Sequence, residues 1–237
     1  MNILFLSYGR FEYDGRQREL IKICKQLGKT HYFTCTEPDF VPSEPEHICF
    51  RDTSRTAYFA FIRRAVRLFE ELGNIDVVFA DNRKATVPAL RIKKKHPDVR
   101  IIQDARELYL RSEMTTFSGR MGCFFEERLY KKADIIIAAN EYRAKRMQVE
   151  YHLAEKPLVY ENLRRLAYSP QADMKKLSVR FGELLSGEEY KIISTSGCSV
   201  QRTNDKLVET LPRLQYPYKL FLVGDSAPQD REAIDKI

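Results

Sequence analysis

The sequence predicts an α/β protein built on a doubly wound parallel sheet. Short apolar runs bounded by turn residues alternate with longer amphipathic stretches, the pattern of strands covered by helices on both faces. Two runs, 77–80 (VVFA) and 135–138 (IIIA), are apolar at every position, as strands buried on both faces should be. The 237 residues, 43% hydrophobic and 31% charged, suffice for one large domain or one and a half ordinary ones. This composition excludes a disordered chain, a collagen and a disulfide-stapled miniprotein.

Strands and helices alternate regularly along the first 163 residues. Apolar runs predict seven strands, near 2–7, 31–36, 47–50, 76–80, 100–103, 134–138 and 157–161. Amphipathic stretches between them predict five helices, at 16–27, 55–72, 84–95, about 120–132 and 141–152. Gly28 and Gly73 follow the first two helices, and Pro97 follows the third, as helix-ending residues do. We therefore assign 1–163 to one domain.

The pattern changes after residue 163. A polar, charge-rich stretch at 164–189 has the composition of a linker. The alternation then restarts, with strands at 191–196 and 219–223 and helices at about 203–214 and from 228 onward. Two strand–helix units bury too little apolar surface for a free-standing domain, so we interpret 190–237 as the start of a second domain and expect a longer protein. The alternative is that these units extend the first sheet.

The net charge and the cysteines indicate which kinds of partner and which cellular compartment to expect. Lys and Arg number 40 against 33 for Asp and Glu, and the net charge of +7 indicates a phosphorylated ligand, a polyanion or an anionic membrane. Nucleic acid is disfavoured, because the basic residues are interleaved with acids. Five widely spaced cysteines, mostly in apolar runs, predict reduced thiols and a cytoplasmic protein. The helix at 55–72 mixes aromatic residues with arginines and could lie on a membrane, although we favour a core-facing apolar stripe.

Polar residues follow nearly every predicted strand, at the edge where open parallel sheets bind ligands. Asp104, Arg106 and Glu107 form a charged cluster after the strand at 100–103; a carboxylate there could orient sugar hydroxyls, and an arginine could hold a phosphate. The other candidates are Asp14, Gly15, Asp81, Asn82, Asn140, Glu141, Gly197 and Arg202. Capping or turn roles are the alternative for several of them. Gly15 and Gly197 each precede a helix, as a diphosphate site requires.

Several chemistries are disfavoured by missing motifs. The sequence has no D-x-D pair, no HExxH and no CxxC, and its four histidines lie far apart, so we predict no metal site. It also has no GxSxG elbow, which argues against a serine hydrolase.

Taken in order, these motifs resemble the retaining, nucleotide-sugar-dependent glycosyltransferases of the GT-B fold, known as glycosyltransferase group 1 or family 4. The matching stretches are NILFLSYGRFEYDGRQRELIKICKQLG, DVVFADN, IIQDARELY, ERLYKKADIIIAANEYRAKRM, EKPLVYENL, KIISTSGCSVQRTNDKLVETL and YKLFLVGD. They span essentially the whole chain. The first loop departs from the family in having one of its two usual glycines, and Cys198 replaces a basic residue.

The resemblance implies two Rossmann-like domains, the first for the acceptor and the second for the nucleotide-sugar donor. It implies metal-independent transfer, in the cleft between the domains and without a cofactor, to a glycan, lipid-linked or other glycoconjugate acceptor, in the cytoplasm or on the inner face of the membrane. Asp104 and Glu107 become the catalytic candidates. The donor-phosphate residues would be Asp14, Gly15, Gly197 and Arg202. The acceptor residues would be Asp81, Asn82, Arg106, Asn140 and Glu141.

In that family, the glutamates that hold the donor lie beyond the position of residue 237. The resemblance therefore implies that the chain is inactive by itself and retains acceptor binding at most. The alternative function is a non-catalytic Rossmann-like module that binds a phosphorylated metabolite or a partner protein.

Overall fold

The computed structural model describes residues 1–161, 179, 181–184, 186–195, 197–200, 203–224 and 226–237. The chain divides into two compact units, Met1–Arg164 and Arg165–Ile237. Most of the predicted linker at 164–189 lies outside the described residues.

The first unit is built on a seven-stranded parallel sheet, which confirms the predicted fold class. Its strands are β1 (Asn2–Arg10), β2 (Lys29–Cys35), β3 (His47–Phe50), β4 (Val77–Asp81), β5 (Arg100–Ala105), β6 (Ile135–Ala138) and β7 (Leu158–Val159). They lie in the order β3-β2-β1-β4-β5-β6-β7. The chain runs outward in one direction from β1 and in the other from β4. Ligands of open α/β sheets bind at such a reversal, beyond the carboxyl ends of the strands.

Five helices connect these strands, close to their predicted positions. They are α1 (Gly15–Leu27), α2 (Ala57–Leu72), α3 (Thr86–Lys95), α4 (Phe117–Tyr130) and α5 (Glu141–Glu150). The side chains of Asp14, Thr116 and Asn140 cap α1, α4 and α5 by accepting free backbone N–H groups of the first turn. Each of these helices therefore starts where a short polar side chain can satisfy its end.

The helices are distributed unequally over the two faces of the sheet. Side chains alternate along β1, so that Leu4 and Leu6 pack toward α2, α3 and α4 while Ile3 and Phe5 pack toward α1. Helix α5 covers the same face as α2 to α4. It packs on Ala138 of β6, whose side chain points to that face of the sheet. Both faces of the sheet therefore carry helices, as expected, with four helices on one face and one on the other.

The apolar stripe of α2 faces the core. Phe61 is fully buried and stacks on Phe33 of β2, with 4.8 Å between the ring centres, and Phe69 is also buried. The interpretation of this stripe as core is confirmed for Phe61 and Phe69, whereas Phe59 is 62% exposed and lies outside the core.

The second unit contains the two predicted strand–helix repeats. Strands β8 (Tyr190–Ser194) and β9 (Tyr218–Leu222) pair in parallel as a sheet of their own, so they do not extend the first sheet. Helices α6 (Asn204–Thr210) and α7 (Pro228–Asp235) follow them. Gly197 and Gly224 have positive φ angles of 71° and 131°, and a Cβ at Gly224 would lie 3.2 Å from the Gly197 nitrogen. Glycine is therefore needed where these two turns approach each other.

Candidate functional site

The candidate site lies at the carboxyl ends of β1, β4 and β5, beside the reversal of strand order. Five charged side chains meet there, and we call them the edge network: Asp14, Arg16, Asp81, Asp104 and Arg106. Asp81 and Asp104 are opposite each other in the register of β4 and β5. Asp14 and Arg16 come from the start of α1, and Arg106 directly follows β5. Residues 92 positions apart along the chain are thus brought into contact.

Arg106 occupies the centre of the edge network. Its Nε donates to Oδ1 of Asp81 at 2.8 Å and its Nη2 donates to Oδ2 of the same carboxylate at 2.6 Å. Its Nη1 donates to Oδ2 of Asp14, whose Oδ1 accepts the N–H of Gln17 at 3.0 Å. Paired bonds of this kind fix both the position and the plane of a guanidinium. The side chain is 15% exposed, so part of the guanidinium faces the crevice.

Arg16 and Asp104 form the buried half of the edge network. The Nε and Nη2 of Arg16 donate to the two carboxylate oxygens at 2.8 and 2.6 Å, and the side chains are 4% and 0% exposed. The Nη1 of Arg16 donates to the carbonyl oxygen of Tyr160 at 2.8 Å. A buried guanidinium is tolerated only when its charge and its N–H groups are satisfied. The pair therefore holds α1 and the segment after β7 against β5.

The edge network contains three carboxylates and two guanidinium groups, so with every group ionised its negative charges outnumber its positive charges by one. Burial raises the pKa of Asp81, whereas the Arg106 guanidinium and the Ser7 hydroxyl act to lower it. The carboxylate of Asp14 is 21% exposed and is the one that solvent reaches. A carboxylate in this place can accept a hydrogen bond from a ligand hydroxyl.

Glu107 and Arg143 form a more exposed ion pair beside the edge network. Nη2 of Arg143 lies 2.8 Å from Oε2 of Glu107, and its Nη1 donates to the carbonyl oxygen of Arg106. Their side chains are 51% and 30% exposed. Asn140 fixes the backbone here by accepting the N–H of Arg143 at 2.8 Å. Glu107 is thus accessible to a ligand, as a catalytic candidate must be.

Asp104 occupies a different place from the one expected of a catalytic group. Its carboxylate is fully buried, and both oxygens are bound by Arg16. A second arginine lies close to the same carboxylate, since Nε of Arg106 is 3.4 Å from its Oδ2. These contacts let Asp104 position the edge network, and its catalytic assignment remains a prediction.

Four further predicted site residues have local structural contacts. Gly15 is the first residue of α1 and is buried, so it belongs to the helix and not to a turn before it. Asn82, with a φ of 62°, accepts the N–H of the following residue at 2.8 Å, and Asn140 caps α5. The exposed carboxylate of Glu141 binds Lys156 at 2.8 Å. The capping alternative thus describes Asn140, and Asn82 has a similar local contact.

Sequence reasoning gave no role in the site to Gly9, Arg16 or Arg143. A Cβ at Gly9 would lie 3.2 Å from the Ser7 hydroxyl and 3.3 Å from Oδ2 of Asp14, so a small residue leaves room for that carboxylate. For Arg16, the sequence contained a usable signal, which is its position in the first turn of a predicted helix. A cation in the first turn of a helix is disfavoured by the helix dipole, and its presence there indicates a specific anionic partner.

A second buried ion pair lies under α4. Nε of Arg83 is 3.1 Å from Oε2 of Glu126, which is 2% exposed, and the guanidinium lies 4.6 Å from the centre of the Tyr109 ring. Nη2 of Arg83 donates to Sγ of Cys123 at 3.1 Å. Burial raises the pKa of Glu126 to about 7, although Arg83 acts to lower it. This pair holds α4 against the turn that precedes α3.

The donor-phosphate candidates of the second unit are only partly described. The N–H of Gly197 donates to the carbonyl oxygen of Val223 at 3.0 Å, and its own carbonyl oxygen accepts Nδ2 of Asn204 at 2.8 Å. The Gly197 N–H is therefore engaged within the unit and is not free for a phosphate. Arg202 lies outside the described residues.

Among the described residues, no group of three or more His, Cys, Asp and Glu side chains is arranged to hold a metal ion. Metal-independent chemistry remains a prediction. Within the same residues, none of the helices is both long and apolar enough to cross a bilayer.

The parallel sheet, its strand order and the likeness of nearly the whole chain to parts of solved enzymes define an α/β Rossmann-like fold of the GT-B class. A sucrose-phosphate synthase from Thermosynechococcus elongatus is similar to 98% of this chain, with a TM-score of 0.71 and 14% identity. Anabaena HepE, in complex with UDP-glucose, is similar to 100% of it, with a TM-score of 0.68 and 18% identity. A UDP-GlcNAc 2-epimerase from Methanocaldococcus jannaschii is similar to 99%, with a TM-score of 0.56 and 10% identity.

The chain spans 65% of the length of the synthase, 64% of HepE and 67% of the epimerase. No protein-family model and no curated protein sequence matches the chain. At these identities the likeness defines the fold, which glycosyltransferases and an epimerase share.

Proposed function

We propose that this chain is the acceptor-binding domain and the start of the donor domain of a nucleotide-sugar-dependent glycosyltransferase. The acceptor is a glycan, a lipid-linked sugar or another glycoconjugate, and transfer proceeds with retention and without a metal or a cofactor. The observation that carries the proposal is the edge network at the reversal of strand order, where Arg106 is held by Asp81 and Asp14. The fold shared with HepE, which was solved with UDP-glucose, supports a nucleotide-sugar as co-substrate.

We assign Arg106 to the acceptor, as the resemblance implies. We also propose that Asp14, expected on the donor side, and Glu107, the catalytic candidate, contact the acceptor. An arginine has five N–H donors, and the described residues accept three of those on Arg106, so two can face a ligand. Asp14 and Glu107 supply partly exposed carboxylates for sugar hydroxyls. The buried Arg16–Asp104 pair would keep these groups in place without touching the ligand.

The donor side is assigned to the second unit. We propose that Arg202 and backbone N–H groups near Gly197 stabilise the departing nucleoside diphosphate, which is the charge that develops in the transition state. By itself the chain would bind an acceptor but not turn over. We place the complete enzyme in the cytoplasm.

Binding of the full chain to an array of immobilised glycans and glycolipids tests the acceptor assignment. The wild-type protein should bind a restricted set of sugars, and Arg106→Ala should lower that binding at least tenfold, because the ligand loses a charged donor. Arg111→Ala is the matched control, since Arg111 is an exposed arginine five residues further along the chain. Equal binding by wild-type and Arg106→Ala proteins would overturn the assignment, provided that both have the same far-UV circular dichroism.

The alternative is a non-catalytic module that binds a phosphorylated metabolite or a partner protein. One observation favours it: the carboxylate of Asp104, a catalytic candidate, is closed off by Arg16. This alternative predicts binding of sugar phosphates or a protein to the same edge network, with no sugar transfer by the protein isolated from its natural source.

A further inference from the structure

The outer side of α2 carries cations and one exposed aromatic ring. Phe59, Arg63 and Arg67 recur at intervals of four residues, and all three are exposed. Phe59 is 62% exposed, whereas Phe61, two positions further on, is fully buried. The helix therefore shows solvent a stripe of different chemistry from the stripe that it buries.

Helices α3 and α4 continue this surface. Arg91 and Lys94 are exposed on α3, and Lys84 is exposed just before it. On α4, Phe117 is 80% exposed and Arg120 is also exposed. We give the name cationic helix face to eight exposed residues of α2, α4, α3 and the turn before α3: Phe59, Arg63, Arg67, Lys84, Arg91, Lys94, Phe117 and Arg120.

Specific contacts place the starts of the three helices side by side. The hydroxyl of Tyr58 in α2 donates to the carbonyl oxygen of Lys84 at 3.1 Å, and Nζ of Lys84 lies 4.5 Å from the centre of the Tyr58 ring. Arg83 in turn donates to the carbonyl oxygen of Gly119 and to Sγ of Cys123 in α4. Phe59 and Phe117 lie in the first turns of their helices, so both rings are at the end of the layer that borders the edge network.

The charges on this face are strongly unbalanced. Helices α2, α3 and α4 contain nine Lys and Arg residues and four Glu residues. The glutamates already have cationic partners within the described residues. These pairs are Glu70 with Lys95, Glu71 with Arg64, Glu126 with Arg83, and Glu127 with Lys131. The outward positive charge of Arg63, Arg67, Arg91 and Lys94 is therefore left to attract an anionic partner.

We propose that the cationic helix face docks on an anionic lipid bilayer. Arg63, Arg67, Arg91 and Lys94 would bind lipid phosphates, and Phe59 and Phe117 would insert between the headgroups. The exposed rings at two helix ends favour a bilayer over a nucleic acid, because they would bury apolar surface in the membrane interface. The docked edge network would lie close to the membrane surface. This inference goes beyond sugar transfer and depends only on the outer surface of the first unit.

Sedimentation of the full chain with vesicles tests the proposal. We expect binding to vesicles of 70% phosphatidylcholine and 30% phosphatidylserine, and none to pure phosphatidylcholine. The double variant Arg63→Ser/Arg67→Ser should bind about thirtyfold more weakly, since each basic residue near such a surface contributes about 1 kcal/mol. Phe59→Ser/Phe117→Ser should weaken binding about tenfold, because both rings lose their burial in the interface.

Arg18→Ser/Lys29→Ser is the matched control, because it removes the same charge from exposed positions of α1 and β2. It should bind like the wild-type protein. Equal weakening by the control would show that net charge alone acts, and this result would overturn the proposal. Absence of wild-type binding to anionic vesicles would overturn it as well. So would tight binding to a 20-base-pair DNA that the phenylalanine substitutions leave unchanged. None of these results depends on glycan binding by the edge network.

Discussion

The buried pair of Arg16 and Asp104 gives the sharpest test of how the site is held. The substitution Asp104→Asn keeps the shape of the side chain but removes its charge. In the wild-type protein this carboxylate accepts two hydrogen bonds from Arg16, at 2.8 and 2.6 Å. The side chain of Arg16 is 4% exposed and that of Asp104 is 0% exposed. The amide cannot balance the guanidinium, and its NH2 group faces N–H donors. Arg16 is then a buried cation without its counter-ion.

The expected cost follows from that burial. Removing one partner of a buried ion pair destabilises a protein by about 3–5 kcal/mol, because the remaining charge is uncompensated. The double variant Arg16→Met/Asp104→Leu removes both charges. It should therefore lower the free energy of unfolding by less than the sum of the losses in Arg16→Met and in Asp104→Leu. Lys22→Ala is the control: its pair with Glu19 is exposed, with side chains 68% and 46% accessible. It should cost less than about 1 kcal/mol.

Urea unfolding measures these differences. The sequence has no Trp, so far-UV circular dichroism is the suitable signal. The shift in midpoint multiplied by the common m value gives the change in free energy of unfolding. A loss of less than about 1 kcal/mol for Asp104→Asn would refute the reasoning. Losses in the double variant that equal the sum of the single losses would refute it too.

Two further predictions concern the core and pH. Phe61→Ala should lower the free energy of unfolding by about 3–5 kcal/mol, because Phe61 is fully buried against Phe33. Phe59→Ala, at an exposed neighbour, should change it by less than about 0.5 kcal/mol in the same urea titration. For Glu126, burial raises the pKa to about 7, so the folded protein holds this proton more tightly than the unfolded chain. The resulting stability is complete below about pH 4.5 and is lost as the pH rises through 7, a change of about 3 kcal/mol that Glu126→Gln should abolish.

Different results would contradict these two expectations. Similar losses in Phe61→Ala and Phe59→Ala would mean that the α2 stripe does not form the core. For Glu126, the informative quantity is the difference between wild-type and Glu126→Gln free energies at pH 5 and pH 8, because other titrating groups cancel. A difference that is independent of pH would show that the proton is not held as the burial of this carboxylate requires.

The fold was largely predictable from the sequence. Every predicted strand of the first sheet is present, because buried parallel strands leave continuous apolar runs such as 77–80. The ends were less predictable: β1 continues to Arg10, three residues beyond the strand end predicted at residue 7. The unequal coverage of the two faces follows from strand order and the right-handed crossover rule, and spacing along the chain does not give strand order.

The candidate site was predictable only in part. The position of Asp81, Asp104 and Arg106 followed from their place after apolar strands. Their pairing did not, since Arg16 is 88 residues from Asp104 and meets it only because β1, β4 and β5 are neighbours. Glu126 was missed for a related reason: within the run EERLYKK, it reads as part of a solvated helix surface, and only the packing of α4 shows that it is buried.

The assignment of Arg106 to a sugar acceptor site carries the functional account. Sugar transfer by the protein isolated from its natural source tests it most directly, with radiolabelled nucleotide-sugars and a glycan and lipid extract as acceptor. We predict that label moves to an acceptor, that a nucleoside diphosphate is released, and that Arg106→Ala lowers the rate at least a hundredfold, about 3 kcal/mol of transition-state stabilisation. Label that stays on the nucleotide, with or without a changed sugar configuration, would contradict the account, as would an unchanged rate in the variant.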